Sequence, residues 1–187
     1  MKHIILASNS PRRRELLAGL NLDFEVRVLP GIPENYPRSL PASEVAGFIA
    51  REKADAYRET IGQNDLVVTA DTVVVVGNEI LGKPKDAEDA HRMLRLIGGR
   101  THQVVTGVCL LTADKERCFS VTTDVTFKQL SEEEITYYIE NYKPFDKAGS
   151  YGIQEWIGYV GVTSISGSYF NVMGLPVQRV WEEIKKL

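Results

Sequence analysis

The chain has little cysteine, little histidine and no long apolar run. Among its 187 residues only Cys109 and Cys118 carry thiols. Two cysteines at that spacing argue neither for a zinc site nor for a disulfide framework. Both are expected as free, buried or half-buried thiols of a reducing compartment. His3, His91 and His102 are scattered, and none has a second ligand at metal spacing. No apolar stretch approaches the length of a membrane span. Met1-Lys2-His3 leads straight into a short strand-like run and not into a signal peptide. The expectation is a cytoplasmic protein with no membrane partner. An excess of positive charge is missing too, with 22 Lys and Arg against 25 Asp and Glu, a formal net charge of −3. That balance disfavours a polymeric nucleic-acid partner but leaves room for a local basic pocket that takes a small anion. There is no Walker-type phosphate loop, no Gly-x-Gly-x-x-Gly run and no Gly-x-Ser-x-Gly elbow. Kinase and Rossmann readings therefore have nothing to rest on, and the serine-hydrolase option that Ser8 and Ser10 raise lacks its elbow, which Gly167-Ser168 resembles only superficially.

What is present is enough apolar residue, 43% of the chain, for one large domain or two small lobes. Residues 3–7 read as a buried strand. Ser10 is placed to cap a helix over 11–20, with Pro11 at its first position. Phe24 to Val28 reads as a strand. Pro30, Pro33, Pro37 and Pro41 then punctuate an irregular loop that carries Glu34. Ser43 to about Thr60 reads as a helix with Val45, Phe48, Ile49, Lys53, Ala56 and Tyr57 on one face. Lys53 is the one charged member of that face, and it must either snorkel or meet an anion. Leu66 to Val76 is a valine-rich strand that turns at Gly77-Asn78 and returns over Glu79 to Gly82. Asp86, with Asp89, opens a helix that stops at Gly98-Gly99. Thr101 to Leu111 and Cys118 to Phe127 read as a hairpin. Ser131 to Glu134 is a capping box that opens a helix reaching about Asn141. Val160 to Ile165 reads as a strand. A last helix follows Pro176, with Val177, Val180, Trp181 and Ile184 expected on its buried face. Helices and strands alternate with hairpins between them, so a mixed α/β sheet is expected.

Three places carry chemistry. The first is the start of the first helix, where free backbone N–H groups and a partial positive charge meet Ser8, Ser10, Arg12 and Arg13. Arginines stand at the unfavourable end of that dipole, a misfit that a polyanion such as a triphosphate would resolve. The second is Asp71, inside an apolar strand, where an unpaired carboxylate is costly, so a cleft or a partner is implied. The third is the set of lysines Lys53 and Lys83, the latter fixed between Gly82 and Pro84. Taken singly, Lys83 also reads as an ordinary turn lysine, and Asp146-Lys147 as a surface ion pair in a glycine-punctuated loop.

Taken together these segments resemble the Maf family, nucleoside triphosphate pyrophosphatases related to the inosine triphosphatase superfamily. The resemblance rests on Leu6-Ala7-Ser8-Asn9-Ser10-Pro11-Arg12-Arg13, Ala50-Arg51-Glu52-Lys53-Ala54, Ala70-Asp71-Thr72 and Leu81-Gly82-Lys83-Pro84. It continues through Gly99-Arg100-Thr101-His102-Gln103-Val104, the run Asp146-Lys147-Ala148-Gly149-Ser150-Tyr151-Gly152-Ile153-Gln154, and Gly167-Ser168-Tyr169. All occur in family order over nearly the whole chain. The resemblance implies one Maf-like domain over 1–187, made of two lobes around a central cleft, with an elongated mixed sheet flanked by helices. It implies hydrolysis of a nucleoside triphosphate to the monophosphate and pyrophosphate, assisted by Mg²⁺ or Mn²⁺. Asp71 would be the general base, and Ser8, Arg12, Arg13, Lys53 and Lys83 would line the triphosphate site. Glu34, with Asp71, would hold the metal, although Pro33 is a departure that restricts the loop there. Arg12, Thr72 and Gln154 resemble the dTTP/UTP branch, and the Gln154 amide can both donate to and accept from a pyrimidine edge. A 7-methyl-GTP branch and a nucleotide-binding regulator of septum formation are the alternatives. Family members often dimerise, so a homodimer is one state open to the chain.

Overall fold

The computed structural model describes residues 2–187, and its chain divides into two compact units. The first unit holds the described residues up to Thr72, with Thr106–Val121 and Gly174–Leu187. It begins with β1 (His3–Leu6), α1 (Pro11–Ala18) and β2 (Phe24–Val26). β1 and β2 are parallel, with Ile5 opposite Glu25, so α1 is the crossover that parallel pairing requires. Ser10 caps α1 as expected: its hydroxyl accepts the Arg13 N–H at 3.4 Å, and Pro11 fills the first turn. α2 (Ala42–Asp55) follows the proline-rich loop, and β3 (Asp65–Val76) returns parallel to β1, with Ile5 opposite Val67. β5 (Thr101–Leu111) and β6 (Glu116–Phe127) are the long hairpin strands. A Cβ on Gly107 of β5 would collide with the backbone of Ala46 and Gly47 of α2. Glycine at that position is what lets the helix seat on the sheet. α7 (Val177–Ile184) closes this unit.

The second unit comprises Val73–Val105 and Thr122–Met173. Here β4 (Glu79–Leu81) pairs antiparallel with the end of β3, and α3 (Ala87–Ile97) starts on the Asp86 cap. α4 (Glu132–Tyr142) opens on the full Ser131–Glu134 capping box. A short 3₁₀ turn (Ala148–Ser150), α5 (Trp156–Gly161), β7 (Val162–Ser166) and α6 (Tyr169–Met173) complete it. β7 pairs antiparallel with β6. Its core gathers Val74, Leu81, Met93, Leu94, Phe127 and Tyr138. The seven strands form one mixed sheet in the order β2-β1-β3-β5-β6-β7, with β4 on β3. Among the described residues no helix is long and apolar enough to cross a membrane.

Four expectations change. α2 ends at Asp55, and turns carry the chain through Thr60 while Tyr57 still packs inward at 1% exposure. α5 and α6, of six and five residues, are too short to leave a helical period in the sequence. In α7 Val180 is buried as expected, but Trp181 is 37% exposed and Glu183 fully buried. Arg117 at 2.8 Å, Arg179 at 2.9 Å and Lys186 at 2.9 Å surround the Glu183 carboxylate, and the hydrogen bonds from Lys186 and then Arg117 hold its pKa well below the usual range. Finally, Cys109 and Cys118 are not free thiols but are bonded to each other. The turn, closed by the Thr112 N–H donating to the Lys115 carbonyl, sets them opposite one another on the hairpin with Cα atoms 4.1 Å apart. Nine residues of sequence separation give no hint of that contact until the strand register is known.

Candidate active site

The Lys53 ammonium is the hub of the first unit's polar cluster. Lys53 projects from the last turn of α2, nearly buried, and donates to Asp71 Oδ1 at 2.9 Å. The same nitrogen lies 2.7 Å from Glu34 Oε1 in the proline-rich loop. The charged residue on the apolar helix face therefore has an anionic partner, in fact two. Tyr57, one turn further, holds the start of that loop: its hydroxyl accepts the Leu29 N–H at 2.9 Å and donates to the Arg27 carbonyl at 2.8 Å. Beside the loop lies a cavity of about 440 Å³ lined by Leu29, Pro30, Gly31, Ile32, Pro33, Glu52 and Ala56.

Asp71 is 13% exposed at its side chain. Burial raises its pKa above the ordinary carboxylate value, and Lys53, then Arg13, pull it back. Arg13 is turned into the protein. Its Nε donates to the Gly174 carbonyl at 2.8 Å, Nη1 to the Ala70 carbonyl at 3.0 Å and Nη2 to Thr72 Oγ1 at 3.0 Å. Burial lowers the Arg13 pKa, and the nearby Asp71 charge opposes that. The guanidinium thus grips the residues on both sides of Asp71. Thr72 is held further by Thr106 Oγ1 at 2.9 Å. Ser8 is buried, and its hydroxyl accepts the Ser10 N–H at 3.2 Å, so the loop before α1 is closed by its own side chains. Arg12 is half-buried on the first turn of α1.

Lys83 and Gln154 belong to the second unit. Lys83 is exposed just after β4. The Gly149 N–H donates to the Gly82 carbonyl at 3.1 Å, which ties the Lys83 turn to the loop that carries Gln154. Gly149 takes φ +69°, and a Cβ there would press on Val74 Cγ2 at 2.8 Å, so glycine is required. Gln154 is half-buried, with its Oε1 buried and lacking a hydrogen-bond donor. His102 of β5 is buried, shares a 2.6 Å hydrogen bond with the Tyr151 hydroxyl, and is kept neutral by burial, which lowers its pKa to about 4. Lys147 is no surface ion pair: it is buried and meets both Asp146 and Glu155. Tyr138, Glu155 and His102 carried no chemical signal of their own, because a mid-helix tyrosine, a glutamate at a helix start and a lone strand histidine read as ordinary packing and capping.

Cys109, Glu116 and Cys118 lie close enough together to suggest a metal group. The two sulfurs are joined to each other, and the Glu116 carboxylate is paired with Arg51 at 2.9 Å and also with Arg58. Those atoms are committed elsewhere. Glu34 Oε1 and Asp71 Oδ1 are two hard carboxylate oxygens that converge on one position, which the Lys53 ammonium fills. That donor set suits Mg²⁺ or Mn²⁺, which take one or two carboxylates together with phosphate and water oxygens.

The sequence pattern of the Maf-like protein family matches residues 3–187. A protein of Phocaeicola vulgatus named dTTP/UTP pyrophosphatase is 61% identical over 184 residues, covering 98% of this chain and 95% of its own. Proteins of the same name from Bacteroides fragilis and Porphyromonas gingivalis are 56% and 55% identical. They cover 98% and 97% of this chain, and 95% and 92% of their own lengths. Among solved structures, the Staphylococcus aureus Ham1 protein superposes with a TM-score of 0.50 at 17% identity, covering 71% of this chain and 88% of its own. At that identity the likeness is one of fold.

Proposed function

The chain belongs to the Maf-like protein family, and from that premise we propose that it hydrolyses dTTP and UTP to the monophosphate and pyrophosphate. The relatives that share more than half its residues over nearly its whole length carry that activity in their names. The observation that supports the chemistry most is the Lys53 ammonium between two acids, 2.9 Å from Asp71 and 2.7 Å from Glu34. Asp71 is the base. It accepts a proton from the water that attacks the α-phosphorus, and the bond to the pyrophosphate leaving group breaks. Lys53 holds one Asp71 oxygen in place and opposes the effect of burial, which favours the charged carboxylate that a base needs. Arg13 fixes Ala70 and Thr72 and adds a buried positive charge next to the base. Ser8, Arg12 and Lys53 of the first unit bind the triphosphate, whose equatorial charge grows in the transition state, and the resemblance gives Lys83 of the second unit a phosphate-binding role as well. Gln154 of the second unit reads the base through its amide.

Glu34 and Asp71 would hold a Mg²⁺ or Mn²⁺ ion. When bound, that ion neutralises phosphate oxygens and supplies Lewis acidity. A cytoplasmic setting rests on the sequence reading alone, since the Cys109–Cys118 bond removes the free thiols that pointed to a reducing compartment. The deciding experiment compares Asp71→Asn with the wild type. Removing the proton acceptor is expected to lower kcat by about 10³-fold, while the Kd for dTTP stays within a few-fold. Wild-type turnover by that variant would take Asp71 out of the mechanism. Release of free phosphate in place of pyrophosphate would replace this reading with a monophosphatase.

A further inference from the structure

Within the second unit, Gln154 sits in a turn fastened on both sides by one tyrosine. Tyr138, fully buried on α4, uses its hydroxyl twice. It accepts the Gly152 N–H at 2.9 Å and donates to Glu155 Oε2 at 2.6 Å. Glu155 Oε1 meets Lys147 Nζ at 3.0 Å, and Lys147 in turn meets Asp146 at 2.8 Å. The Glu155 N–H donates to the Gly152 carbonyl at 3.0 Å, which closes the turn around Ile153 and Gln154. There is no slack: a Cβ on Gly152 would lie 2.9 Å from Lys147 Cε and 3.1 Å from Glu155 Cδ. Ile153 is anchored in the core. The Tyr138 hydroxyl, the Glu155 carboxylate and the Lys147 ammonium all have partners, whereas the buried Oε1 of Gln154 has none. Buried acceptors without donors are rare in native proteins, and one held on so rigid a backbone is ready for a donor brought by a ligand. A pyrimidine ring N–H is such a donor.

We propose that Tyr138 and Glu155 are positioning residues that set pyrimidine selectivity by fixing the backbone on either side of Gln154. This rests on the reading of Gln154 as the residue that meets the base. An amide distinguishes one base edge from another only when its donor and acceptor are held in register, and small displacements forfeit that discrimination. Neither positioning residue needs to touch substrate.

The test is steady-state kinetics of the full-length protein with dTTP, UTP and a purine triphosphate. Tyr138→Phe keeps the ring and removes both hydrogen bonds. It is expected to raise KM for dTTP and UTP about tenfold, to change kcat far less, and to leave the purine KM where it was. Glu155→Gln retains an acceptor for the Tyr138 hydroxyl and recovers most of the pyrimidine KM, whereas Glu155→Ala does not. Should Tyr138→Phe fail to fold, the two Glu155 variants carry the same comparison. Wild-type pyrimidine KM values in Tyr138→Phe and Glu155→Ala, whatever their kcat or thermal midpoint, would reduce the clamp to a structural element and overturn the inference. Gln154→Ala is the control: if it leaves the pyrimidine KM unchanged, the assignment of Gln154 fails first, and the clamp has nothing to position.

Discussion

Asp71 shows how a single carboxylate is tuned by opposing forces. Burial raises its pKa, and the Lys53 ammonium, followed by Arg13, lowers it. The net direction is upward, so the acid limb of the kcat/KM profile, where the free enzyme's base is protonated, should lie above the ordinary carboxylate value. Lys53→Gln removes the largest lowering influence and leaves burial opposed by Arg13 alone. The acid limb of that variant is expected to move to higher pH by about a unit or more, since one unit corresponds to about 1.4 kcal/mol of differential interaction. A limb that stays in place would mean that Lys53 does not govern the ionisation of Asp71. The lysine itself was legible in the sequence as an oddity on an apolar face. Its two acidic partners were not, because they come from a loop nineteen positions before it and a strand eighteen after it.

The elements were read in proportion to how local their signals are. Ser10, Asp86 and Ser131 cap their helices through bonds that span three residues, and such bonds depend only on adjacent sequence. The end of α2 and the buried face of α7 depend on what packs against them. Trp181 reads as core, yet Glu183 takes the interior because three cations reach it, Arg117 from the hairpin, Arg179 from the first turn of α7 and Lys186 from just past its end. Gly107 belongs to this scale too, since β5 approaches α2 so closely there that a methyl group has no space. Gly107→Ala should push the helix off the sheet and lower stability by about 1–3 kcal/mol. Urea titration followed by circular dichroism measures that, and an unchanged midpoint would show that α2 can shift freely.

At the scale of the whole molecule, pH acts on stability through His102. Its folded pKa of about 4 lies below the unfolded value of 6.5, because burial disfavours the imidazolium. Between those values the unfolded chain binds the extra proton, so unfolding becomes easier as pH falls. The stability lost between pH 6.5 and pH 4 from this group is at most about 3 kcal/mol. His102→Gln should flatten that slope in urea midpoints measured at pH 7 and at pH 4.5. An equal slope in both proteins would assign the acid sensitivity to other groups.

The order of the strands and longer helices, the helix caps and the family were written in the sequence, because each depends on short segments whose residues act on near neighbours. The tertiary structure decided the rest. It joined Cys109 to Cys118, turned Arg13 inward onto Ala70, Thr72 and Gly174, and set Lys53 between Glu34 and Asp71. Those partners lie nine to 161 positions apart. Only strand register and helix packing convert such separations into bonding distances, and neither is a property of any short stretch of the chain.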